Sequence, residues 1–288
     1  MKPTFWESQA VDPKLRTRRT GGTTTALLRT AMKENLIRRA AVVRSSSRFP
    51  WAEASIASTS SELEEAAGSK YTLVGAPEVT QIASSPFASV TLPCMSARAR
   101  QHGASLVVGL FCGLNISPTG YERLIRSHGG LIEDVISCDF RSPAGGLHAV
   151  LRDGTEIHVP RYFWLAYFYP YPKCAACRDY LNRDSDLSIG DRRSEWNAVV
   201  VWTPAGARAL ELAADKGSIL ASQLAEAEFR ERLMSPFHQK EVLGGYDRLW
   251  LVRHRRLIRR LPLPILARVG ERIFRRTMRN ATQHNART

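Results

Sequence analysis

The sequence predicts an α+β protein whose N-terminal half is of α/β type, built from strand–helix units. A helical pattern over 24–35 leads into the short apolar run 40–43. A second apolar run, at 105–112, is continuous, as in strands covered on both faces. Between 130 and 160 the pattern changes and predicts additional antiparallel strands, and the arginine-rich end predicts a helical, basic C-terminus.

The individual elements follow from local patterns along the chain. Residues 1–19 are expected to form an irregular, basic lead-in, and the Ser-rich stretch 45–57 is expected to be a loop. Strands are predicted at 40–43, 89–94, 105–112, 132–140, 148–151, 155–159 and 196–202, and helices at 24–35, 61–67, 95–102, 118–128, 205–216 and 218–234. Residues 152–155 predict a hairpin turn, and 184–191 are interpreted as a polar loop ending in an exposed Gly-Asp.

Length and composition bound the domain organisation. The chain has 288 residues and 44% hydrophobic content, enough for one large domain or two small ones. We predict an N-terminal domain at 1–80, a C-terminal domain at 81–250 that carries the cysteines, and a basic amphipathic tail at 251–288. The chain shows no internal repeats, and low complexity is confined to the arginine-rich end.

The sequence also predicts a cytoplasmic location, at most peripheral to the inner face of a membrane. No apolar run approaches the roughly 20 residues that span a bilayer, and the first residues lack the apolar segment of a secretory signal. Thiols stay reduced in the cytoplasm. We therefore interpret the five cysteines as metal or redox ligands rather than as disulfides.

The net charge of +14 is concentrated in the tail, since eleven arginines and one glutamate follow Val252. Residues 265–278 can form an amphipathic basic helix that contacts an anionic membrane surface or an acidic partner. Alternatively, its apolar stripe packs on the main domain and its arginines face solvent, which is the interpretation we favour slightly. Nucleic-acid binding is not expected, because no recognised module accompanies the charge.

Four of the five cysteines form a candidate metal site. Cys174 and Cys177 are separated by two residues, so both thiolates can reach one metal. Cys94 and Cys112 each end a predicted strand, where sites collect in open α/β sheets. Cys138 lies within a strand pattern and is interpreted as a buried free thiol. Four thiolates suit a [4Fe–4S] cluster or a structural zinc ion, and the spacing does not separate these.

Thr20, Gly21, Gly22 and Thr23, here called the glycine loop, precede the first predicted helix. Such a loop exposes backbone N–H groups beside the positive end of the helix dipole, which suits a phosphate. An ordinary helix start with a threonine cap explains the same residues equally well.

Gly68, Ser69, Lys70 and Tyr71 follow the second predicted helix and offer a hydroxyl, a cation and an aromatic ring within one turn. They are interpreted either as a cofactor contact or as a helix exit with a solvated lysine. The aromatic-rich run 161–171 could shield a redox centre, although such runs are more often core.

These segments together carry a family resemblance. They are, in order, Thr20-Gly21-Gly22 with Ala26-Leu27-Leu28, Gly68-Ser69-Lys70-Tyr71, Pro93-Cys94, Leu110-Phe111-Cys112 with Asn115, Cys174-x-x-Cys177-x-Asp179, Asp186-Leu187-Ser188-Ile189-Gly190-Asp191, and Val201-Trp202-Thr203-Pro204-Ala205-Gly206. The chain resembles the coenzyme F420 hydrogenase/dehydrogenase beta-subunit family of iron–sulfur flavoproteins over roughly residues 15–206.

The resemblance implies an oxidoreductase that moves electrons between a hydride carrier (coenzyme F420 or similar), FAD and a [4Fe–4S] cluster. It places the cluster on Cys94, Cys112, Cys174 and Cys177. It assigns the glycine loop, the Gly68–Tyr71 turn and the pair Gly190–Asp191 to flavin or phosphate contact. A redox carrier or a partner oxidoreductase subunit is expected to exchange the electrons.

A second hypothesis belongs to another functional class. The chain could be a non-catalytic, metal-stabilised scaffold that docks to a membrane or partner through its tail. Hydrolysis is not proposed, because no Ser-His-Asp arrangement is visible and the seven histidines lack metal-ligand spacing.

Overall fold

The computed structural model describes residues 1–74, 86–142, 145–191, 195–233, 240–241, 244–245 and 250–273. It confirms the predicted fold class, with a large mixed sheet, a small antiparallel sheet and helices around them. The strands are β1 (Thr4–Ala10), β2 (Arg39–Ser45), β3 (Ala52–Ala57), β4 (Phe87–Thr91), β5 (Leu106–Leu110), β6 (Val135–Asp139), β7 (Leu147–Leu151), β8 (Glu156–Val159), β9 (Leu187–Asp191), β10 (Asn197–Val201) and β11 (Ile219–Leu224).

The large sheet has eight strands in the order β11-β1-β10-β9-β5-β4-β2-β3. Its centre is parallel, because β4 pairs in parallel with β2 and β5, and β5 pairs in parallel with β9. The remaining pairs of this sheet are antiparallel. The carboxyl ends of β4, β5 and β9 therefore meet at one edge, where open α/β sheets build their sites.

The small sheet has the order β6-β7-β8 and is antiparallel, as predicted for this region. The helices are α1 (Thr23–Lys33), α2 (Ser60–Glu65), α3 (Ser96–Gln101), α4 (Pro118–Ser127), α5 (Leu165–Phe168), α6 (Pro172–Ala176), α7 (Pro204–Asp215), α8 (Glu226–Arg232), α9 (Trp250–Arg253) and α10 (Arg255–Ile258). The α2 helix begins with a capping box between Thr59 and Glu62, so its N-cap is Thr59.

Two apolar layers cover the large sheet. Leu27 of α1 and Leu210 of α7 pack with Val108, Leu187 and Val199 from the central strands. In a separate apolar cluster, side chains from β1, β10 and α8 pack together with the segment before β9; they are Phe5, Val200, Phe229 and Leu181. The central strands are thus covered on both faces, which explains their continuous apolar sequences.

A second core is rich in aromatic residues. The small sheet packs on the run 162–169 and on α4, with Trp51 and Tyr121 fully buried between them. The aromatic run is therefore core, which is the more frequent role of such runs.

Two strands at one end of the large sheet, β1 and β11, lie where the sequence predicted an irregular segment and a helix. Residues 1–19 were expected to be irregular, but β1 lies there between β10 and β11. The predicted helix at 218–234 is wrong in its first part, which forms β11, and α8 begins only at Glu226. Ala, Leu and Gln favour helix locally, and pairing with β1 overrides that propensity.

Two further strands replace predicted loops. β3 occupies part of the Ser-rich stretch 45–57; it is an edge strand, and edge positions tolerate small and polar residues. β9 occupies the end of the stretch 184–191, where Gly190 is buried rather than exposed. This strand contains Ser and Gly between apolar residues, which masked its central position.

The described part of the C-terminal tail packs on the aromatic core. Residues 263–273 are helical, and Ile258, Leu263 and Leu266 are buried in that core. Arg256 and Arg268 face solvent, so the interpretation that we favoured for the tail holds over 250–273. Residues 274–278 of the predicted amphipathic helix lie outside the described residues. Within the described ranges, no helix combines the length and apolarity that crossing a bilayer requires.

Candidate functional site

The predicted cysteine ligands lie on three neighbouring elements. Cys94 follows β4, and Cys112 follows β5, at the carboxyl edge of the parallel strands. Cys174 is buried in α6, and Cys177 is the C-cap residue of that helix. Cys94 is the exposed member of the set, whereas Cys112 and Cys177 are partly buried.

Short polar contacts join these elements. The Asn115 side-chain amide donates to Cys112 Sγ at 3.6 Å, and the Asn115 backbone also hydrogen-bonds the Cys174 thiol. The Cys177 thiol donates to the carbonyl oxygen of Asp179 at 3.5 Å. Asn115 therefore connects one cysteine of the sheet edge with one cysteine of α6.

Burial perturbs the pKa values of the two thiols that Asn115 contacts. Burial raises the pKa of Cys112 to about 12; Lys240 opposes this rise, and Cys174, Cys94 and Cys177 add to it. Burial also raises the pKa of Cys174, again with Lys240 opposing. A metal ion must therefore displace protons from thiols that burial holds in the neutral form.

Cys138 stands apart from this set, as expected from its place in a strand pattern. It lies in β6 of the small sheet and packs against the aromatic core. Burial raises its pKa, and Asp139 raises it further. Among the described residues, no group of three or more Cys, His, Asp or Glu side chains has the geometry of a formed metal site. The assignment of the four ligands stays a prediction.

The segment after Cys177 is fixed to the end of β4. The Asp179 carboxylate accepts a hydrogen bond from the Asn182 backbone N–H at 2.7 Å, and Asn182 has a left-handed backbone with φ 60°. The buried Asn182 side chain donates to the Thr91 carbonyl oxygen at 2.9 Å and accepts from the Ser96 hydroxyl at 2.6 Å. This contact holds the segment against the turn that carries Cys94.

Asp186 of the motif has a structural position. Its buried carboxylate accepts hydrogen bonds from the Val107 backbone N–H at 2.7 Å, the Thr203 hydroxyl at 2.7 Å and Arg100 at 3.0 Å. These contacts join β5, the N-cap of α7 and α3 to the start of β9. They explain why an aspartate precedes the strand that leads to the Gly-Asp pair.

The glycine loop packs against the sheet through Asn197. Gly22 is the N-cap of α1 with φ 69°, and the Thr23 backbone N–H donates to Asn197 Oδ1 at 3.2 Å. The buried Thr23 hydroxyl contacts that of Ser8 at 2.7 Å, and a side chain at Gly21 would collide with Asn197. The Thr23 donor is thus used within the protein, and phosphate contact by this loop stays a prediction.

Asn197 also connects the glycine loop to the predicted Gly-Asp pair. Its side-chain amide donates to the Gly190 carbonyl oxygen at 3.3 Å, and it pairs with Asp191 across β9 and β10. A side chain at Gly190 would collide with the ring of Phe111, the residue before Cys112. Glycine at this position lets Phe111 pack on β9 beside the predicted metal ligand.

Arg141 brings the Gly68–Tyr71 turn into the same region. Its guanidinium forms an ion pair with the carboxylate of Asp191. Burial raises the pKa of Asp191, and Arg141 opposes that rise. Burial likewise raises the pKa of Tyr71, opposed by Arg141, and the Ser69 side chain hydrogen-bonds Tyr71. The Tyr71 ring packs edge-on against Phe163 at 4.8 Å between centroids.

Lys70 has a structural contact that fits the simpler of its two interpretations. Its ammonium donates to the carbonyl oxygens of Ala66 at 2.6 Å and Ala67 at 3.0 Å, at the end of α2. Gly68 has φ 92°, a left-handed conformation that suits glycine after a helix. Cofactor contact by this turn stays a prediction.

Arg16 lies beside the glycine loop, and no sequence pattern identified it. Its Nε is buried without a hydrogen-bond partner among the described residues, and its guanidinium lies 4.0 Å from Glu195. The preceding residue, Leu15, packs its carbonyl against Gly22 of the glycine loop. An unsatisfied guanidinium N–H beside a helix N-terminus is a binding group for an anion. A single arginine in a basic segment gave no sequence signal for this.

Lys240 and Glu241 were missed as well, since they lie in a segment to which no element was assigned. The Glu241 carboxylate accepts from the backbone N–H groups of Tyr180 at 2.8 Å and Leu181 at 3.3 Å, and it pairs with Arg183. Lys240 is 1% exposed. These two residues pack directly on the segment that follows Cys177.

Two family models match the chain, and both describe the beta subunit of coenzyme F420 hydrogenase/dehydrogenase. The model of the N-terminal part of that subunit matches residues 6–81. The model of its C-terminal part matches residues 70–227, more than half of the chain. The chain belongs to the coenzyme F420 hydrogenase/dehydrogenase beta-subunit family.

Known members and structures agree with this. The family relative from Methanothermobacter thermautotrophicus, coenzyme F420 hydrogenase subunit beta, is 27% identical over 216 residues, which cover 68% of this chain and 75% of the relative. A chain of the F420-reducing [NiFe] hydrogenase complex from Methanosarcina barkeri matches with a TM-score of 0.62 and 20% identity, covering 88% of each chain. The latter similarity shows the shared fold, and the former links this family member to an oxidoreductase subunit.

Proposed function

We propose that this chain is an oxidoreductase subunit that moves electrons between a hydride carrier (F420 or a similar compound), FAD and a [4Fe–4S] cluster. The observation that carries the proposal is the shared environment of Cys94, Cys112, Cys174 and Cys177. These four cysteines are far apart in sequence, yet they lie at the ends of β4 and β5 and on α6, and Asn115 hydrogen-bonds the sulfurs of both Cys112 and Cys174. A set of four cysteine sulfurs is the usual donor set of such a cluster.

The chain's own residues support the binding of a flavin in two places. Arg16 offers a buried, unsatisfied N–H next to the glycine loop, which suits a phosphate group of FAD. Arg141, Asp191 and Tyr71 form a second polar group that is connected to the glycine loop through Asn197. When bound, FAD can exchange electrons in pairs or singly, and so can link a two-electron carrier to a one-electron cluster.

The surrounding residues fix and shield the predicted ligands. Asn115 orients the Cys112 and Cys174 sulfurs and can donate a hydrogen bond to a thiolate. Phe111, packed on Gly190, and Tyr180 cover the inner side of this region with apolar surface. The exposed Cys94 leaves one side open. We propose that a partner oxidoreductase subunit approaches there, as supported by the relative that is named a hydrogenase subunit.

Anaerobic purification tests the cluster directly. The protein is expected to be brown and to contain about four irons and four sulfides per chain, as a cubane on four thiolates requires. Replacement of Cys94, Cys112, Cys174 or Cys177 by Ser should lower the iron content markedly. Flavin content, measured by absorbance after release from the protein, tests FAD separately. An Arg16→Gln variant should then retain less flavin and keep its iron.

Cys138→Ser is the matched control for the cysteine variants, because this thiol lies in the small sheet and does not belong to the predicted set. It should keep both the iron and the fold. A colourless protein that contains zinc in place of iron would overturn the redox proposal, since zinc on four thiolates is a structural ion.

A further inference from the structure

Lys240 lies in an unusual position for a lysine. Its side chain is 1% exposed, and lysines are almost never fully buried unless a negative charge pairs with them. Among the described residues its ammonium contacts the carbonyl oxygen of Asp179 at 3.3 Å. The carboxylate of the neighbouring Glu241 is directed to Arg183 and to the backbone of the segment after Cys177.

The Asp179 carbonyl oxygen sets an upper limit on the distance between Lys240 and one predicted metal ligand, Cys177. Cys177 Sγ contacts the same oxygen at 3.5 Å, so the ammonium nitrogen and this sulfur are at most 6.8 Å apart, the sum of the two contacts. The Lys240 charge also acts on Cys94, Cys112 and Cys174. One buried cation thus lies within 6.8 Å of a sulfur of the predicted set and carries a charge that the other three thiols also sense.

A neutral carbonyl compensates poorly for burial of an ammonium group. Four thiolates around a metal centre carry a net negative charge, and low local dielectric strengthens the attraction between that charge and a nearby cation. One-electron reduction adds a further negative charge. A fixed cation at this distance therefore stabilises the reduced state more than the oxidised state.

We propose that Lys240 is a positioning residue that sets the reduction potential of the cluster through its buried charge. The inference rests on the proposed function, because it requires a redox cluster on the four cysteines. Lys240 is not a ligand in this proposal and takes no part in proton transfer. Its charge makes the cluster easier to reduce by the flavin, which donates the electron.

The test compares Lys240→Met and Lys240→Arg with the wild-type protein, using the full chain purified anaerobically. Iron and sulfide are assayed first, and the midpoint potential is then measured by an EPR-monitored redox titration. The midpoint potential of Lys240→Met should be more negative than that of the wild-type protein by at least about 59 mV. For a one-electron couple, this shift is a tenfold change in the ratio of oxidised to reduced cluster at a given potential. Lys240→Arg keeps the charge and should stay close to the wild-type value.

Lys173→Met is the matched control for loss of a positive charge. Lys173 also acts on Cys94, but it is exposed, so water and salt screen its charge. The potential of this variant should change far less than that of Lys240→Met. If Lys240→Met loses iron and Lys240→Arg does not, this difference would also support a role for the charge.

Two other outcomes overturn the proposal and differ in meaning. The role of the charge is rejected if Lys240→Met keeps four irons and an unchanged potential. It is also rejected if both Lys240 variants lose iron equally. Neither result contradicts the cluster of the wild-type protein. A wild-type protein without iron rejects the proposed function itself, and the role of Lys240 with it.

Discussion

Polar side chains that were not among the predicted site residues hold the candidate site together. Asn115 joins Cys112 to Cys174, and Asn197 joins the glycine loop to β9. The sequence could supply the cysteines, because their spacing and their positions after apolar runs are local features. It also supplied Asn115, as part of the motif around Cys112 that carries the family resemblance. It could not supply Asn197, since this residue acquires its role from partners distant in sequence, and a lone Asn has no distinguishing pattern.

Arg141→Gln tests a further polar residue of the site, which the sequence analysis did not name. The variant leaves Asp191 without its cation, so we expect the free energy of unfolding at pH 7 to fall by about 1–2 kcal/mol. This loss is smaller than for a fully buried pair because both side chains are partly exposed. Urea denaturation of the two proteins measures the difference.

The pH dependence of this loss has a definite sign. Burial raises the pKa of Asp191 above its usual value. Protonation of Asp191 therefore stabilises the folded state at low pH, and this contribution is lost as the pH rises through the raised pKa. Arg141 limits the rise in pKa. The cost of Arg141→Gln should therefore grow as the pH increases from the unfolded-state pKa of an aspartate towards neutrality.

Arg44→Gln provides the control for Arg141→Gln. Arg44 pairs with Glu53 at 2.7 Å between neighbouring strands, but both side chains are exposed. Such surface pairs contribute at most about 1 kcal/mol, with little dependence on context. Equal losses in the two variants would show that Arg141 is an ordinary surface residue.

At the scale of elements, several helices and the apolar strand β5 were predictable, whereas the edge strands β3 and β11 and the interior strands β1 and β9 were not. The α1 helix follows from apolar periodicity, and α4 and α7 follow in addition from proline at the first turn. β5 follows from a continuous apolar run. β3 and β11 lie at the two ends of the large sheet. Their sequences are short and mixed because one side of an edge strand faces solvent, so only the neighbouring strand determines their conformation.

Two adjacent residues of the C-terminal tail, one buried and one exposed, test whether the tail stabilises the aromatic core. Leu266 is 0% exposed within the aromatic core, and Ile265 beside it is 45% exposed. Leu266→Ala should lower the free energy of unfolding by about 2–5 kcal/mol, as for other large-to-small changes in cores. Ile265→Ala should cost less than about 1 kcal/mol.

Thermal denaturation followed by circular dichroism measures both tail variants. If Leu266→Ala did not lower the stability of the protein, the tail would not belong to the core. The same packing affects how the tail can be studied, since its complete removal would uncover the aromatic cluster. Substitution of exposed arginines such as Arg256 and Arg268 by Gln tests partner or membrane contact without this damage.

At the scale of the whole molecule, the two halves of the sequence share one sheet. The N-terminal family model covers 6–81, and the C-terminal model begins at 70. β1 nevertheless pairs with β10 and β11, near the end of the matched region. The predicted division into 1–80, 81–250 and 251–288 stays a prediction, with its first boundary outside the described residues. Local patterns could suggest the strands but not this long-range pairing.

Deletion of residues 1–11 tests the importance of that pairing. β1 lies between two partners, so its loss leaves β10 with a free edge and detaches β11. We expect the shortened protein to lose its cooperative unfolding transition and to aggregate. Deletion of residues 1–3 alone, which precede β1 and are exposed, should preserve the melting temperature. A well-folded protein lacking residues 1–11 would contradict the expectation.

The pairing of β1 with β11 also constrains biosynthesis. Phe5 meets Leu224, and at translation rates of about 5–20 residues per second the ribosome needs roughly 10–45 s to make the intervening chain. All five cysteines emerge from the exit tunnel before β10 and β11 do. Newly made thiols therefore wait on an incomplete sheet, open to oxidation, and any metal insertion that depends on the finished fold has to follow the synthesis of the last strand.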